Sequence, residues 1–229
     1  FAETQGNHID TTADGNAVGS QTPTLGSPSA TILGGYREIY VDLKQKNNPF
    51  ASAEINVFNG NLNFSTTQDA AATGTIRWDG SSEGPSINAT GLGGIFLGNA
   101  ATDLFELNVV KSDAGFQFVL EAYTNAGQWS KVQITSNAHP VPATTYIPLA
   151  AFLDCSNSFP VPGVTVTCAG GGVDFAHLGA LQAIIDPAGN FTELDLKLGR
   201  ASVVPEPGAL ALVGLALAGA GLASRRRKA

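Results

Sequence analysis

The side chains able to do chemistry are few and scattered. Three histidines occur: His8 in a polar stretch, His139 ahead of a proline, and His177 within DFAHL. None belongs to an HExxH arrangement or a paired metal spacing, and no GxSxG context accompanies Asp174 and His177. His177 therefore reads as a structural histidine. Asp10, Asp14 and Asn16 offer oxygens to a cation, but they lack the acidic ladder and terminal Glu of an EF-hand loop, so they read as solvated loop. Gly91-Leu92-Gly93-Gly94 lacks the lysine and the strand–helix setting of a phosphate loop. Carboxylates are plentiful, and a glycosidase needs only two of them across a cleft, yet the sequence marks no particular pair. The expectation is a protein that is not an enzyme and holds no metal or cofactor.

Two further sets of residues carry more information. Cys155 and Cys168 flank SNSFPVPGVTVT, a loop rich in turn formers. The spacing fits neither a zinc motif nor a CxxC redox pair, so a structural disulfide is expected. Tyr123 ends and Trp129 begins two alternating runs, FQFVLEAY and WSKVQIT. With Phe116, Phe118, Leu120, Val132 and Ile134 inward, alternation turns Tyr123, Trp129, Gln117, Glu121, Lys131 and Gln133 outward. Aromatic rings stack on the C–H faces of sugars while amides and carboxylates bond their hydroxyls. Tyr123 and Trp129 are thus candidate glycan-binding residues.

The elements that must position these residues are strands. Of 229 residues 43% are apolar, but only 14% are charged, below the roughly 25% of an average soluble domain. Gly, Ser, Thr and Asn are abundant. Arg37–Lys44 alternates with Ile39, Val41 and Leu43 on one face. Glu54–Thr67 is two runs around Asn59-Gly60, a strong hairpin signal. Ile76 and Trp78 share a face. The runs Asp103–Lys111 (Phe105, Leu107 and Val109 inward), Phe116–Tyr123 and Trp129–Thr135 are expected to form one antiparallel meander, whose outer face would add Glu106 and Asn108. Ala180–Asp186 and Phe191–Leu198, the latter with Leu194, Leu196 and Leu198 on one side, close the body; Phe175–Leu178 is a possible helical turn. The pattern predicts an all-β antiparallel sandwich, jelly-roll-like, over residues 31–202, preceded by a flexible leader over 1–30.

Residues 203–229 differ in kind. Val204-Pro205-Glu206-Pro207 is biased toward extended backbone by its prolines. An uninterrupted apolar run of 16 residues, 208–223, follows, and then Arg225, Arg226, Arg227 and Lys228. As a helix the run spans about 24 Å, short of the roughly 30 Å hydrocarbon core. It reads as a brief single transmembrane helix with its basic end cytoplasmic and the body outside. The chain contains no methionine, so removal of an N-terminal secretory signal peptide is expected. Without the four basic residues of the tail, the body carries 18 acidic against 8 basic residues, which argues against nucleic acid as a partner.

The order Pro-Glu-Pro, short apolar helix, basic cluster at the C-terminus resembles the PEP-CTERM sorting signal of Gram-negative bacteria. The resemblance covers about 25 of the 229 residues. It implies that Pro205, Glu206 and Pro207, followed by Arg225, Arg226 and Arg227, form the signal read by a membrane-embedded exosortase, with the chain as its substrate. It further implies cleavage near the motif after a transient inner-membrane stage, and delivery to the cell surface or extracellular space beside exopolysaccharide. GGYREIYVDL and TIRWDG resemble the first strands of β-sandwich ectodomains joined to such signals and related to carbohydrate-binding modules. The expected role is structural, in an exopolysaccharide or biofilm matrix. The alternatives are a carbohydrate-binding, lectin-like module and a secreted glycoside hydrolase.

Overall fold

The computed structural model describes residues 1, 3–23, 27–80, 86–158 and 163–205. The expected transmembrane helix, Glu206, Pro207 and Arg225–Arg227 lie outside the described residues; among those described, no helix is long and apolar enough to cross a membrane. Among the described residues thirteen strands are formed, in chain order: β1 (Gln5–Asp10), β2 (Val18–Thr22), β3 (Arg37–Lys46), β4 (Ala53–Phe58), β5 (Asn61–Thr66), β6 (Ala70–Trp78), β7 (Asp103–Ser112), β8 (Phe116–Asn125), β9 (Gln128–Ser136), β10 (Ala143–Pro148), β11 (Val164–Ala169), β12 (Ala180–Ile185) and β13 (Asp195–Pro205). They make two antiparallel sheets, β1-β4-β5-β13-β7-β10 and β11-β9-β8-β12-β6-β3-β2.

Alternation decides which side chains enter the space between the sheets. Ile39, Val41 and Leu43 of β3, Phe105, Leu107 and Val109 of β7, Phe116, Phe118 and Leu120 of β8, and Leu196 and Leu198 of β13 are all buried, in one cluster that also holds Leu194. Asn59 and Gly60 take positive φ, 49° and 75°, and turn β4 into β5, as a two-residue hairpin turn requires. Gly74 on β6 lies under the Phe64 ring: a Cβ there would stand 2.8 Å from Phe64 Cδ2, so only glycine admits that ring. Cys155 and Cys168 form the expected disulfide and tie the segment after the 3-10 turn Leu149–Leu153 to edge strand β11. Phe175–His177 is a further 3-10 turn, with the Asp174 carboxylate accepting from the Ala176 N–H.

Two expectations are corrected. Residues 1–30 are not a leader without structure: they supply an edge strand to each sheet, β1 beside β4 and β2 beside β3. Strand β1 carries its pattern in reverse, burying Gln5 and Asp10 and exposing Ile9. Its polar residues go inside because they have partners there. The Gln5 side chain accepts from Arg37 Nε and donates to Ser20 O, and Asp10 accepts from the Leu43 N–H and the Thr12 N–H. The meander is also split. After Ser112 the chain changes sheets, so β7 pairs with β13 and β10 while β8 pairs with β9 and β12. Glu106 and Asn108 accordingly face outward from the six-stranded sheet, across from Tyr146 and Thr144 of β10, and not beside Tyr123.

Candidate functional site

The outer face of the seven-stranded sheet carries a row of polar side chains at one register level. Glu38 (β3), Arg77 (β6), Gln182 (β12), Glu121 (β8), Lys131 (β9) and Thr167 (β11) are successive cross-strand partners. Six strands at about 4.8 Å spacing make a row about 24 Å long. Most of it is joined by hydrogen bonds. Arg77 donates to Glu38 Oε2 at 3.1 Å and to Gln182 Oε1 at 2.9 Å, and Gln182 Nε2 donates to Glu121 Oε2 at 2.9 Å. Lys131 Nζ lies 3.6 Å from Glu121 Oε1. Side-chain exposure rises along the row, from 1% at Glu38 and 7% at Arg77 to 13% at Glu121 and 34% at Lys131. The β3–β6 end is therefore a buried anchor held by the Glu38–Arg77 ion pair, and the β8–β9 end is the more open one.

Tyr123 and Trp129 stand at that open end. They are direct cross-strand partners, with ring centroids 6.3 Å apart and planes tilted by 40°. Both are partly exposed. The Tyr123 hydroxyl donates to Glu121 Oε2 at 2.9 Å, which ties the ring pair to the polar row. Burial, followed by the adjoining Glu121 carboxylate, holds the Tyr123 phenol above its ordinary pKa, so it stays protonated as a donor. At the other end of the face, Tyr40, Asp42, Thr75 and Arg77 line a groove of about 440 Å³ with Gly15, Asn16 and Ala17. The Tyr40 ring lies 5.6 Å from the Arg77 guanidinium carbon.

The six-stranded sheet bears a second outward groove, of about 580 Å³. Its floor is an amide ladder: Asn63 donates to Asn56, Asn56 donates to Asn7, and Asn7 donates to Glu54. Lys111, Asp195 and Lys197 complete it. Asp195 is held above the usual carboxylate range by burial and by the nearby Asp113 carboxylate. Alternation in EINVFNGNLNFS turns Asn56 and Asn63 to one side, so part of this ladder had a sequence signal; Asn7 did not, since its strand is masked by polar composition. The Arg77–Gln182–Glu121 row had no local signal, because its members come from three distant strands.

The remaining chemistry-bearing residues take local roles. His177 Nδ1 is 2.7 Å from Asp174 Oδ2 on an exposed turn, and this contact lowers the Asp174 pKa. His139 Nε2 meets Ser136 Oγ at 2.8 Å, and His8 Nε2 meets Ser20 Oγ at 2.8 Å. Asp10 is buried in its bonds to Thr12 and Leu43, whereas Asp14 accepts from the Asn16 N–H on the surface. Among the described residues no group of three His, Cys, Asp or Glu stands together as a metal site would need.

The start of the C-terminal signal is set by β13. This strand is internal to the six-stranded sheet, and its last residues pair with β7: Val203 with Phe105, Val204 with Leu104, Pro205 with Asp103. Val204 and Pro205 are thus extended, as the prolines predicted, but they are extended within the sheet. Pro205 can end a strand because it lacks only the donor that the strand's end does not need.

What the fold and this strand present is a β-sandwich whose internal strand runs directly into a terminal address. A family model described as the PEP-CTERM protein-sorting motif matches residues 203–228, so the chain carries that motif. The motif is the recognition signal for exosortase and implies export to the cell envelope or surface. No curated protein matches the chain. A solved structure described as "CBM4 structure and function" is similar at 10% identity and a TM-score of 0.38, with 82% of this chain and 95% of that chain covered.

Proposed function

We propose that this chain is a non-enzymatic surface or matrix protein, held briefly in the inner membrane by residues 208–223 and cleaved by exosortase near Pro205-Glu206-Pro207. The body is periplasmic before cleavage and reaches the cell surface or extracellular space afterwards, where it serves a structural role in an exopolysaccharide or biofilm matrix. The sorting motif at 203–228 carries this reading, because it continues without a spacer from a strand of the folded body. The acidic body and the basic tail support the same orientation across the membrane. The test is fractionation of the native host carrying E206A/P207A, two residues beyond β13. The variant is expected to stay in the membrane fraction at full length while wild type leaves it; equal release of both would count against the reading.

A second reading is favoured by the ring pair. The body is a jelly-roll-like sandwich whose Tyr123 and Trp129, backed by Glu121, Lys131 and Gln182, engage a glycan chain. The tilted rings supply stacking area and the row supplies fixed donors and acceptors. Y123A and W129A are each expected to weaken retention on the host's own exopolysaccharide by about three- to tenfold. Unchanged retention of both removes this reading and leaves the structural one.

A further inference from the structure

One end of the space between the sheets is not filled. A cavity of about 280 Å³ lies there, lined by apolar side chains from both sheets, among them Ile76, Phe105, Leu107, Phe118, Leu181 and Leu198. Protein interiors pack with few voids larger than a water molecule. An engineered cavity of about 150 Å³ already holds benzene, so this one accommodates a molecule of roughly a dozen non-hydrogen atoms. Trp78 and Phe1, with rings 6.5 Å apart, also line it.

The cavity also holds a charge. Arg37 lines it and is 2% exposed. Arg37 Nε donates to Gln5 Oε1 at 3.1 Å and Nη2 donates to the Glu3 carbonyl at 2.7 Å, and both acceptors are neutral. The Glu3 carboxylate accepts from Ser29 and Thr31 instead. Among the described residues no carboxylate forms an ion pair with Arg37, and Nη1 makes no hydrogen bond. Buried charges are ordinarily paired, since an uncompensated ion in an apolar setting is unfavourable. Burial pushes the Arg37 pKa down to about 10 against the opposing field of the Glu3 carboxylate, which is not in hydrogen-bond contact with it, and the guanidinium carbon lies 5.9 Å from the Phe1 ring centroid; the group is still charged at neutral pH.

The geometry points to an internal binding site for a small amphipathic anion, an alkyl or aryl carboxylate, with its apolar part among the cavity side chains and its carboxylate on the Arg37 guanidinium. Arg is suited to this because its fork of N–H donors matches a carboxylate edge. The site is separate from both outer faces and does not depend on the sorting reading.

The test uses the full chain with W129F, so that Trp78 is the sole tryptophan, and two probes of the same shape, 3-phenylpropionate and 3-phenylpropanol. Trp78 emission is expected to shift on addition of the acid, with at least about tenfold tighter binding than the alcohol, as for a charge-assisted hydrogen bond. A183L, which projects extra carbons into the cavity, is expected to abolish both responses and so excludes uptake elsewhere on the molecule. R37Q is expected to remove the preference for the acid while keeping the response to the alcohol. No emission shift with the acid, an equal shift in A183L, or equal affinity for acid and alcohol in the R37-containing protein would overturn the inference. The last two comparisons do not depend on R37Q folding.

Discussion

Asp186 is wholly buried and sits at positive φ, 45°. One carboxylate oxygen accepts from the Phe191 N–H at 2.8 Å, and the other has no hydrogen-bond partner among the described residues. Burial raises its pKa, partly offset by backbone N–H donors. A carboxyl whose folded pKa is raised contributes stability below its unfolded pKa and loses it as pH rises through the folded value. Asn tolerates the left-handed region and keeps an acceptor for Phe191 N–H. The melting temperature of D186N relative to wild type is therefore expected to be higher at pH 7 than at pH 4; a difference that does not change between these pH values would contradict the assignment. The opposite case is Arg77, whose buried pairing with Glu38 and Gln182 makes R77A destabilising by about 3–5 kcal/mol, measured by denaturant unfolding. W129A, at the open end of the same row, is expected to unfold much closer to wild type. That contrast separates the buried, anchoring end of the row from its exposed end.

Elements divide by whether their packing obeys alternation. Buried apolar residues recur at every second position in the middle of β3 (Ile39, Val41, Leu43), β7 (Phe105, Leu107, Val109) and β8 (Phe116, Phe118, Leu120) and at the start of β13 (Leu196, Leu198), so the face each of these stretches turns inward was legible from spacing alone. The choice of neighbour was not. Strand β7 is followed closely by β8, yet it pairs with β13, more than eighty residues later, because the chain crosses to the other sheet after Ser112, which itself exchanges backbone hydrogen bonds with His139. Strand β1 was illegible for a different reason: Gln5 and Asp10 are buried by bonds to Arg37 and Leu43, and such partners leave no trace in local composition. The Tyr123–Trp129 pair was legible, since both rings follow from one hairpin's alternation, whereas the polar row behind it needed the sheet order. The disulfide is a third kind of element. Replacing both cysteines, C155S/C168S, is expected to lower unfolding free energy by about 3 kcal/mol, the loss of one short closed loop. Strand β13 sets a limit on processing: removing Val203–Pro205 would strip three residues paired with β7. A chain truncated after Ser202 is expected to melt below one truncated after Pro205, and equal melting would show that these pairs carry no weight.

For the molecule as a whole, the sandwich and the address are joined without slack. The sheet presents Pro205 at the end of an internal strand, and the motif proceeds from there to the apolar and basic segments. On the proposed processing, a cut beyond Pro205 would release an intact sandwich and a cut before it would remove residues paired with β7, so the folded body would restrict where exosortase acts. The measurement that bears most directly on this account is the intact mass of the protein recovered from its native host, with and without its exosortase. The account predicts that wild type loses mass beyond the Pro-Glu-Pro region and keeps β13 through Pro205, while the exosortase-deficient strain retains the whole tail to Ala229. A full-length tail in both strains would contradict it.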